Sequence, residues 1–361
     1  MYRFKGLAAV LAAAVVALGV GCGDDDDDGG GGGGGDGGGT QEVTYALPTP
    51  PSALFYPALV AEELGFFEEE GVKPNLAPAA EEISATAFLD NGDADVSFAD
   101  VDEIILARSK GGEHQTVFSP QHTNTAGIVV PEDSPIQDIT DVAGKTVGLE
   151  SEESTRLLDA MLDSAGVSKD DVETAVVGTS GALVAQTFED GEIDAYVGNA
   201  SDFTALSANG VALRNITPED VGRIDGNPLA TLPGTLEEKR EAIVGFLRAW
   251  AKAQYVGQVN RDVVEQIARE KVPAEWRNEA SGEAALDLAI QLMKPDDPDR
   301  IGDLRPEVWE TGQDVLVRAG VIEEGDKIDV QEALNDELIA EINDWDRAEV
   351  KRAAEEYAGS S

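Results

Sequence analysis

Short β-type runs alternate with amphipathic helical stretches through the first part of the chain. Val43–Leu47 alternates apolar and polar residues, as a half-buried strand does. The segment "ALFYPALVAEELG" follows with apolar residues at helical spacing, and Gly65 marks its end. The same pair of patterns recurs as far as "VALRNI". Strand–helix–strand units of this kind predict an α/β fold with mainly parallel sheets and helices on both faces.

After Asn227 the pattern changes to helices, and no strand is evident there. Residues 235–259 form one long helical stretch with an apolar stripe that includes Phe246 and Trp250. Further helices are predicted over 262–270, 283–293, 306–319, 330–342 and 347–357. About 320 residues follow Gly39, which is too long for one typical core and suits two lobes. The sequence therefore predicts an α/β part that a C-terminal helical pack completes.

The amino terminus has the pattern of an export signal. Arg3 and Lys5 precede an apolar run, Leu7–Val20, which is too short to span a bilayer comfortably. The run leads to Cys22, the single cysteine of the chain, in a stretch that resembles a bacterial lipobox. We therefore predict a lipoprotein signal peptide over residues 1–22, with Cys22 as the lipidated residue. A plain signal peptide that leaves Cys22 idle is the alternative.

Residues 23–40 are almost entirely Gly and Asp, a composition that predicts a disordered linker. A Gly-rich chain of this length spans roughly 20–25 Å on average, so it would act as a tether beside the membrane. The formal charge of the whole chain is −45, with 71 acidic and 26 basic residues, and this argues against a nucleic-acid partner. The two histidines lack a metal-binding spacing, so we expect no metal site.

Several segments together resemble the solute-binding proteins of ABC importers. "YPALVAEELGFFEEEGVKPNL" resembles their opening helix, and Gly-x-x-Asp turns stand at Gly92–Asp95 and Gly191–Asp194. The C-terminal stretch that starts "VLVRAGVIEEGDKIDV" is similar to the thiamine-pyrimidine-precursor branch of the nitrate, sulfonate and thiamine-precursor group. The resemblance implies a periplasmic-binding-protein fold of type II, in which two α/β lobes enclose a ligand cleft.

The resemblance also implies where the lobes begin and end. The first part of lobe 1 would be residues 41–124, and lobe 2 would be residues 125–226. Residues 227–361 would complete lobe 1 and add the helical C-terminal region. The two crossings would be "HTNTAG" and "DGNPLA", whose small and polar residues could absorb a hinge rotation.

Ligands of open α/β sheets bind beyond the carboxyl ends of the strands, and that rule selects the candidate site residues. They are Thr49, Tyr56, Phe98, Asp100, His122, Thr123, Ser151, Glu152, Ser154, Asn199 and Asp202. Several have a simpler interpretation. Asp100, Ser151, Asn199 and Asp202 stand where helix N-caps belong, and Tyr56 has core spacing. His122 belongs at the cleft edge or on the surface.

The sequence departs from the thiamine-precursor branch at one place. The early tryptophan and histidine of that branch correspond here to Thr49 and Phe55, so the stacking partner would move to Tyr56 or Phe98. The helix head that receives an anion in the sulfonate and nitrate branches is here "ESEEST", with three glutamates. Their charge opposes an anion and favours a ring amine or a cation. A sulfonate- or nitrate-type anion is the alternative ligand.

These observations predict a monomeric, lipid-anchored protein on the extracytoplasmic face of the cell membrane. It would capture a small polar heterocycle and present it to an ABC permease on a separate chain, without a cofactor and without catalysis. One alternative is a pyrimidine-synthase-like enzyme on the same fold, with acid–base groups drawn from Asp100, His122 and Glu152. Another is a sensor that reads the same cleft.

Overall fold

The structure is a computed structural model that describes residues 40–48, 51–77, 83–318 and 320–360. The predicted signal peptide, Cys22, the Gly/Asp linker and Thr49 lie outside the described residues.

The first sheet contains five strands in the order β2-β1-β3-β10-β4. The strands are β1 (Gln41–Ala46), β2 (Val72–Leu76), β3 (Val96–Phe98), β4 (Gln115–Phe118) and β10 (Leu229–Thr231). β1 pairs in parallel with β2 and β3, whereas β10 is antiparallel to both of its neighbours. Four strands therefore run in one direction and one runs against them. We call this sheet with its helices the first lobe.

The second sheet repeats this arrangement in the order β7-β6-β8-β5-β9. The strands are β5 (Ala126–Pro131), β6 (Thr146–Leu149), β7 (Glu173–Val176), β8 (Ala195–Asn199) and β9 (Leu213–Asn215). β6 is parallel to β7 and β8, and β5 is antiparallel to β8 and β9. We call this sheet with its helices the second lobe.

The one reversed strand in each sheet follows a crossing between the lobes. β5 is the first strand after the chain enters the second lobe, and β10 is the first after it returns. The predicted two-lobed α/β fold is thus confirmed, with mixed sheets in place of mainly parallel ones. β10 also corrects the expectation that residues after Asn227 form no strand. Its three residues are too few to show an alternating pattern.

Helices cover both lobes and build the C-terminal region. In the first part of the chain they are α1 (Tyr56–Glu63), α2 (Phe66–Glu69), α3 (Ala85–Asp90), α4 (Val101–Ser109), α5 (Ser154–Ser164), α6 (Gly181–Glu189), α7 (Ala200–Ala208) and α8 (Glu219–Gly222). After β10 they are α9 (Pro233–Val259), α10 (Arg261–Lys271), α11 (Glu279–Leu292), α12 (Pro306–Arg318), α13 (Val330–Ala333), α14 (Ile339–Ile342) and α15 (Arg347–Ser360).

The helix predicted over 330–342 is in fact broken into the short helices α13 and α14. Leu334 between them has extended backbone angles and pairs with Thr116 of β4. The Asn335 amide donates to the Thr116 carbonyl at 2.9 Å. Pairing with the edge of the first sheet therefore outweighs the helical pattern of this segment.

The core of the first lobe is aromatic and lies between its sheet and α9. Trp250 and Phe246 of α9 are fully buried, and the Trp250 ring centroid lies 4.8 Å from that of Phe98. Phe246 also stacks on Phe67 at 5.3 Å. The second lobe instead has two smaller cores that are largely aliphatic. α9 thus fixes the first lobe around one large cluster.

The two crossings meet at a group of charged residues that we call the hinge network: Arg305, Asp225, His122, Asp296 and Asp303. Arg305 forms an ion pair with Asp225 and donates to the His122 carbonyl at 2.9 Å and the Arg223 carbonyl at 3.2 Å. The His122 ring lies 3.0 Å from the Asp303 carbonyl and 3.3 Å from the Asp296 carboxylate. Both crossings are therefore bound to the segment just before α12.

α12 lies across both lobes. It packs on α4 of the first lobe and on α5 and α8 of the second. Its residue Trp309 belongs to the core of the first lobe, whereas Val315 belongs to a core cluster of the second. Arg318 at its carboxyl end lies 3.1 Å from Asp220 and 3.5 Å from Asp163, both in the second lobe. α12 therefore adds a third connection between the lobes.

Candidate functional site

A cavity of about 510 Å³ lies between the two lobes. The amino-terminal ends of α4, α5 and α7 and the two crossings surround it, and α12 closes one side. Its polar lining residues are Asp100, Asp102, Asn124, Thr125, Glu153, Arg156, Asn199 and Asp225. Its apolar lining residues come mainly from α4, α5, α8 and α12. The carboxyl ends of β3 and β8 lead into it, which is where an α/β sheet binds its ligands.

Asp100 lies at the end of β3, where the sequence places the head of α4. It occupies the N-cap position, but its side chain makes no capping hydrogen bond. Its carboxylate instead accepts a hydrogen bond from the Asn227 amide at 2.6 Å. Asp100 is exposed to solvent through the cavity, while protein atoms crowd its other sides. This burial, together with the charges of Asp102 and Glu103, raises the pKa of Asp100 to about 7.

Asp102 stands one half-turn further along α4 and also lines the cavity. Burial raises the pKa of Asp102, while the backbone amide of Glu103 and the charge of Arg156 oppose the rise. Arg156 belongs to α5 in the second lobe, and among the described residues that line the cavity it is the one cation. The first lobe thus presents two carboxyl groups, and the start of α5 in the second presents the Glu153 carboxylate and the Arg156 guanidinium.

The wall from the second lobe is organised by a capping box at the start of α7. The Asn199 side chain accepts from the Ser201 amide at 2.9 Å, and the Asp202 carboxylate accepts from the Asn199 amide at 2.9 Å. Asn199 also donates to Glu150 at 3.1 Å, and Ser154 donates to the other Glu150 oxygen at 3.2 Å. Burial and the hydrogen bond with Glu150 raise the pKa of Asp202 to about 7. Two acidic side chains, Glu150 and Asp202, therefore contact Asn199 from behind the cavity wall.

The structure brings some of the predicted residues to the cavity. Asp100 and Asn199 line it. Ser154 and Asp202 are buried behind that wall, and the Ser151 hydroxyl lies 3.2 Å from that of Ser154. The N-cap alternative holds for Asn199, whereas Asp202 is the N3 residue of the same capping box. Asn199 does this while still lining the cavity.

Other predicted residues lie elsewhere, and these assignments are corrected. Tyr56 and Phe98 are buried in the first lobe's core. The Tyr56 hydroxyl donates to the Gln254 carbonyl at 3.0 Å, and Phe98 packs between Phe55 and Trp250. His122 belongs to the hinge network. Both aromatic side chains follow the apolar face of their element, so packing in the core determines their direction.

Two further predicted residues are close to the cavity without lining it. Thr123 is exposed on the first crossing, between His122 and the lining residue Asn124. Glu152 is exposed at the head of α5, where the next residue, Glu153, lines the cavity. The sequence therefore identified the acidic start of α5 correctly but selected Glu152, whereas Glu153 lines the cavity. Thr49 lies outside the described residues.

Sequence reasoning missed Asp102, Arg156 and all of the α12 wall. A signal existed for the first two, because Asp102 lies in the first turn of α4 and Arg156 in that of α5. No comparable signal existed for α12. It reaches the cavity from more than 150 residues away in sequence, as the numbering of Arg156 and Gly312 shows. Among the helices of the described residues, none has the length and apolar character needed to cross a bilayer.

The fold is shared with a solved binding protein. The periplasmic aliphatic sulphonate binding protein SsuA from Escherichia coli superimposes with a TM-score of 0.61 at 17% identity. The match covers 81% of this chain and 97% of that protein. This chain therefore has the periplasmic solute-binding fold that the sequence predicted.

Curated relatives carry the name of an enzyme. The 4-amino-5-hydroxymethyl-2-methylpyrimidine phosphate synthase of Legionella pneumophila is 25% identical over 122 residues, which is 34% of this chain and 39% of that protein. The protein of the same name from Aspergillus parasiticus is 25% identical over 194 residues, covering 54% of this chain and 56% of that protein. The chain thus spans about half or less of the length of these relatives.

These names overturn one expectation. The sequence predicted a protein that is not an enzyme, and the curated relatives contradict this prediction because they are named as synthases. The structural neighbour SsuA, in contrast, is named as a binding protein. The resemblance to this family is nevertheless confirmed, although the C-terminal stretch that begins at Val315 lies outside the matched residues. The family model described as "NMT1/THI5 like" matches residues 52–256, more than half of the chain. The chain belongs to the NMT1/THI5-like family.

Proposed function

We propose that this chain is the solute-binding component of an ABC importer and that its ligand is a small amine-bearing heterocycle of the thiamine-precursor class. One observation carries the choice of ligand. Asp100 and Asp102 face the cavity with raised pKa values, and no cation of the described residues forms an ion pair with either of them. A cavity of this charge favours a ligand that brings the missing positive charge.

The energetics favour a cation over an anion. An enclosed carboxylate that lacks a cation is disfavoured, which is why the pKa of Asp100 rises to about 7. A protonated ring amine would supply the opposite charge and a hydrogen bond, so the carboxylate would be stabilised when the ligand binds. An anion would instead meet Asp100, Asp102 and Glu153, with only Arg156 to offset them.

The position of the cavity supports capture by closure. Its walls come from both lobes, and the crossings at Asn124 and Gly226 belong to its lining. A ligand that contacts both lobes stabilises the closed arrangement more than an open one, so it shifts the equilibrium between them. A permease on a separate chain could distinguish the closed form from the open form by the relative position of the lobes.

The amino-terminal region completes the proposal. Residues 1–22 would direct export and Cys22 would carry lipid, with residues 23–40 as the tether. Lobe 1 would then be built from residues 41–124 and 227–361, and lobe 2 from residues 125–226. The protein would work as a monomer on the extracytoplasmic face of the membrane. Mass spectrometry of the mature protein tests this part, because a lipidated Cys22 as first residue supports it and any other start contradicts it.

A pyrimidine-synthase-like enzyme is the second candidate, and the names of the curated relatives favour it. The same heterocycle class would then be a product instead of a cargo. Incubation of the protein in a small-metabolite extract that lacks pyrimidines, followed by mass spectrometry of the small molecules and of the protein, separates the two candidates. No new pyrimidine and an unchanged chain support transport, and a new pyrimidine supports the synthase.

The ligand class is tested by thermal shift and calorimetry. The panel contains 4-amino-5-hydroxymethyl-2-methylpyrimidine, N-methylpyridinium, ethanesulfonate and nitrate. We expect the melting temperature to rise with the first two, and the response to N-methylpyridinium to fall in Asp100→Asn. The matched control is Asp133→Asn, which neutralises an exposed aspartate outside the cavity. A shift with the anions alone would reverse the proposed charge of the ligand.

A further inference from the structure

The cavity has a second, apolar half that the proposed ring amine does not explain. Ile105 and Leu106 of α4 face it from the first lobe, and Val221 and Ile224 face it near the second crossing. Val315 and Leu316 of α12 complete this wall. Ile105 and Val221 have no exposed surface, so the apolar surface that a ligand could cover belongs to the partly exposed Leu106, Ile224 and Leu316.

The volume of the cavity exceeds the needs of a single small ring. Its volume is about 510 Å³. Sites of about 300–1,000 Å³ usually enclose ligands much larger than one heterocycle. If only a ring amine bound at Asp100, water would remain against the apolar wall. A ligand that displaced this water with carbon would gain affinity in proportion to the area covered.

The apolar wall is held in place from both sides. A Cβ added to Gly312 would lie 3.6 Å from Val101, so α12 approaches α4 closely. On its other face, Val315 is packed into a core cluster of the second lobe and is 6% exposed. α12 thus forms one wall of the cavity, and its contacts with both lobes hold it in that position. A group lying against it would contact both lobes at once.

We propose that the ligand is an amphiphilic organic cation, with its cationic ring at Asp100 and an apolar arm along α12. This inference rests on the proposed function and adds the second half of the ligand. The polar and apolar halves adjoin, because Asp100 and Val101 are consecutive residues and both line the cavity. A cationic ring bound at Asp100 could therefore extend its substituent along Val101.

Leu157 is the specificity-determining residue of this arrangement. It lies on α5 between the polar residues Glu153 and Arg156 and the apolar residue Ala160, and all four line the cavity. Its side chain is half-buried and also packs against the second lobe's core, so part of it remains accessible from the cavity. A larger side chain here would shorten the space for the arm and leave Asp100 unchanged.

A series of N-alkylpyridinium ions with methyl, ethyl, butyl and hexyl chains tests the proposal. The charge of these probes is permanent, so only chain length varies. We expect the affinity measured by calorimetry to rise about fourfold per methylene until the arm fills the wall. Leu157→Trp should remove most of the gain between butyl and hexyl. The control Leu183→Trp, at an exposed position on α6 outside the cavity, should keep it.

The chain carries a formal charge of −45, so weak adsorption of cations must be separated from binding in the cavity. Titrations at physiological salt and displacement of the hexyl probe by N-methylpyridinium provide this separation. One displaceable hexyl ion per chain supports the proposal. Several hexyl ions that N-methylpyridinium does not displace would overturn it.

Each remaining outcome is decisive. Equal affinities along the series would overturn the apolar arm but leave a cation site at Asp100. Binding by no pyridinium ion would overturn the proposed function itself. A chain-length dependence in folded Leu157→Trp that matches the wild-type protein would remove Leu157 from the wall. If Leu157→Trp does not fold, Leu316→Ala replaces it, and there we expect the advantage of hexyl over methyl to fall by about tenfold or more.

Discussion

The hinge network and the rim of the cavity both enclose aspartates, but they provide different partners. In the hinge network, Asp225 is buried and forms an ion pair with Arg305, which is itself 11% exposed. At the rim, Asp100 receives one amide hydrogen bond from Asn227, and none of the described residues places a cation in ion-pair contact with it. Burial raises the pKa of both aspartates, and only at Asp225 does an arginine oppose the rise.

This difference separates a structural role from a binding role. A buried ion pair has its charges balanced within the fold, and loss of one partner leaves the other without compensation. A carboxyl group with a raised pKa at a cavity is balanced only when a proton or a ligand arrives, which is typical of functional sites. Mutations in the two regions should therefore have opposite consequences for stability and for ligand affinity.

The largest expected effect is in the hinge network. Arg305→Ala leaves Asp225 buried without its cation and removes the donor to the His122 and Arg223 carbonyls. We expect the free energy of unfolding to fall by about 3–5 kcal/mol, measured by urea denaturation.

Arg240→Ala provides the control for this prediction, because Arg240 pairs with Glu341 at 2.8 Å at an exposed position outside the hinge network. That variant should lose less than about 1 kcal/mol. Equal losses in the two variants would show that the hinge network does not depend on the buried pair.

The second prediction concerns the affinity for a cation. Asp100→Asn keeps the shape of the side chain but removes the charge that faces the cavity. N-methylpyridinium has no N–H to donate, so the loss is that of one charge–charge attraction, which corresponds to roughly a ten- to hundredfold weaker affinity. Calorimetry measures the change, and Asp133→Asn should alter it by less than about twofold. An unaffected Asp100→Asn would place the cation elsewhere in the cavity.

The two regions also differ in how far the sequence could predict them. The position of Asp100 followed from a local rule, since a polar residue directly after a buried strand reaches the cavity at the carboxyl edge of the sheet. Asn199 followed from the same rule. These residues are fixed by their own strand and helix, so a single stretch of sequence contains the necessary information.

The hinge network and α12 depend on contacts between distant segments. Arg305 is 80 residues from Asp225 in sequence, and Val315 joins a core cluster whose other members lie between Ile128 and Val221. Nothing in the local pattern around either residue identifies its partner. The assignment of Tyr56 and Phe98 to the cleft differs from the structure for a related reason. Their distance from a strand end suggested the cleft, but the large core under α9 determined their direction.

The third prediction uses the raised pKa of Asp100. This pKa is about 7 in the folded protein and about 3.9 in an unfolded chain, so between these values the folded protein holds a proton that the unfolded chain has lost. The Asp100 contribution therefore makes the free energy of unfolding fall as the pH rises from about 4 to about 7. In Asp100→Asn this fall is absent.

Urea denaturation at pH 5, 6, 7 and 8 measures the effect. Relative to the wild-type protein, Asp100→Asn should gain stability progressively as the pH rises through this window. Asp133→Asn also removes one negative charge, but its effect should not follow the same window. A constant difference between Asp100→Asn and the wild-type protein from pH 5 to pH 8 would contradict the raised pKa.

The smallest effect is expected at the third connection between the lobes. Arg318 lies at the end of α12, and its contacts with Asp163 and Asp220 are partly exposed, so Arg318→Ala should reduce the free energy of unfolding by less than about 1 kcal/mol. Arg240→Ala is a matched control, because Arg240 pairs with Glu341 at 2.8 Å within the first lobe. The two variants should have similar stability.

Small-angle scattering should distinguish them, because, of these two arginines, only Arg318 contacts the second lobe. Its loss should increase the radius of gyration of the ligand-free protein. A similar increase in Arg240→Ala, or none in Arg318→Ala, would mean that the hinge network and the buried face of α12 alone hold the lobes together.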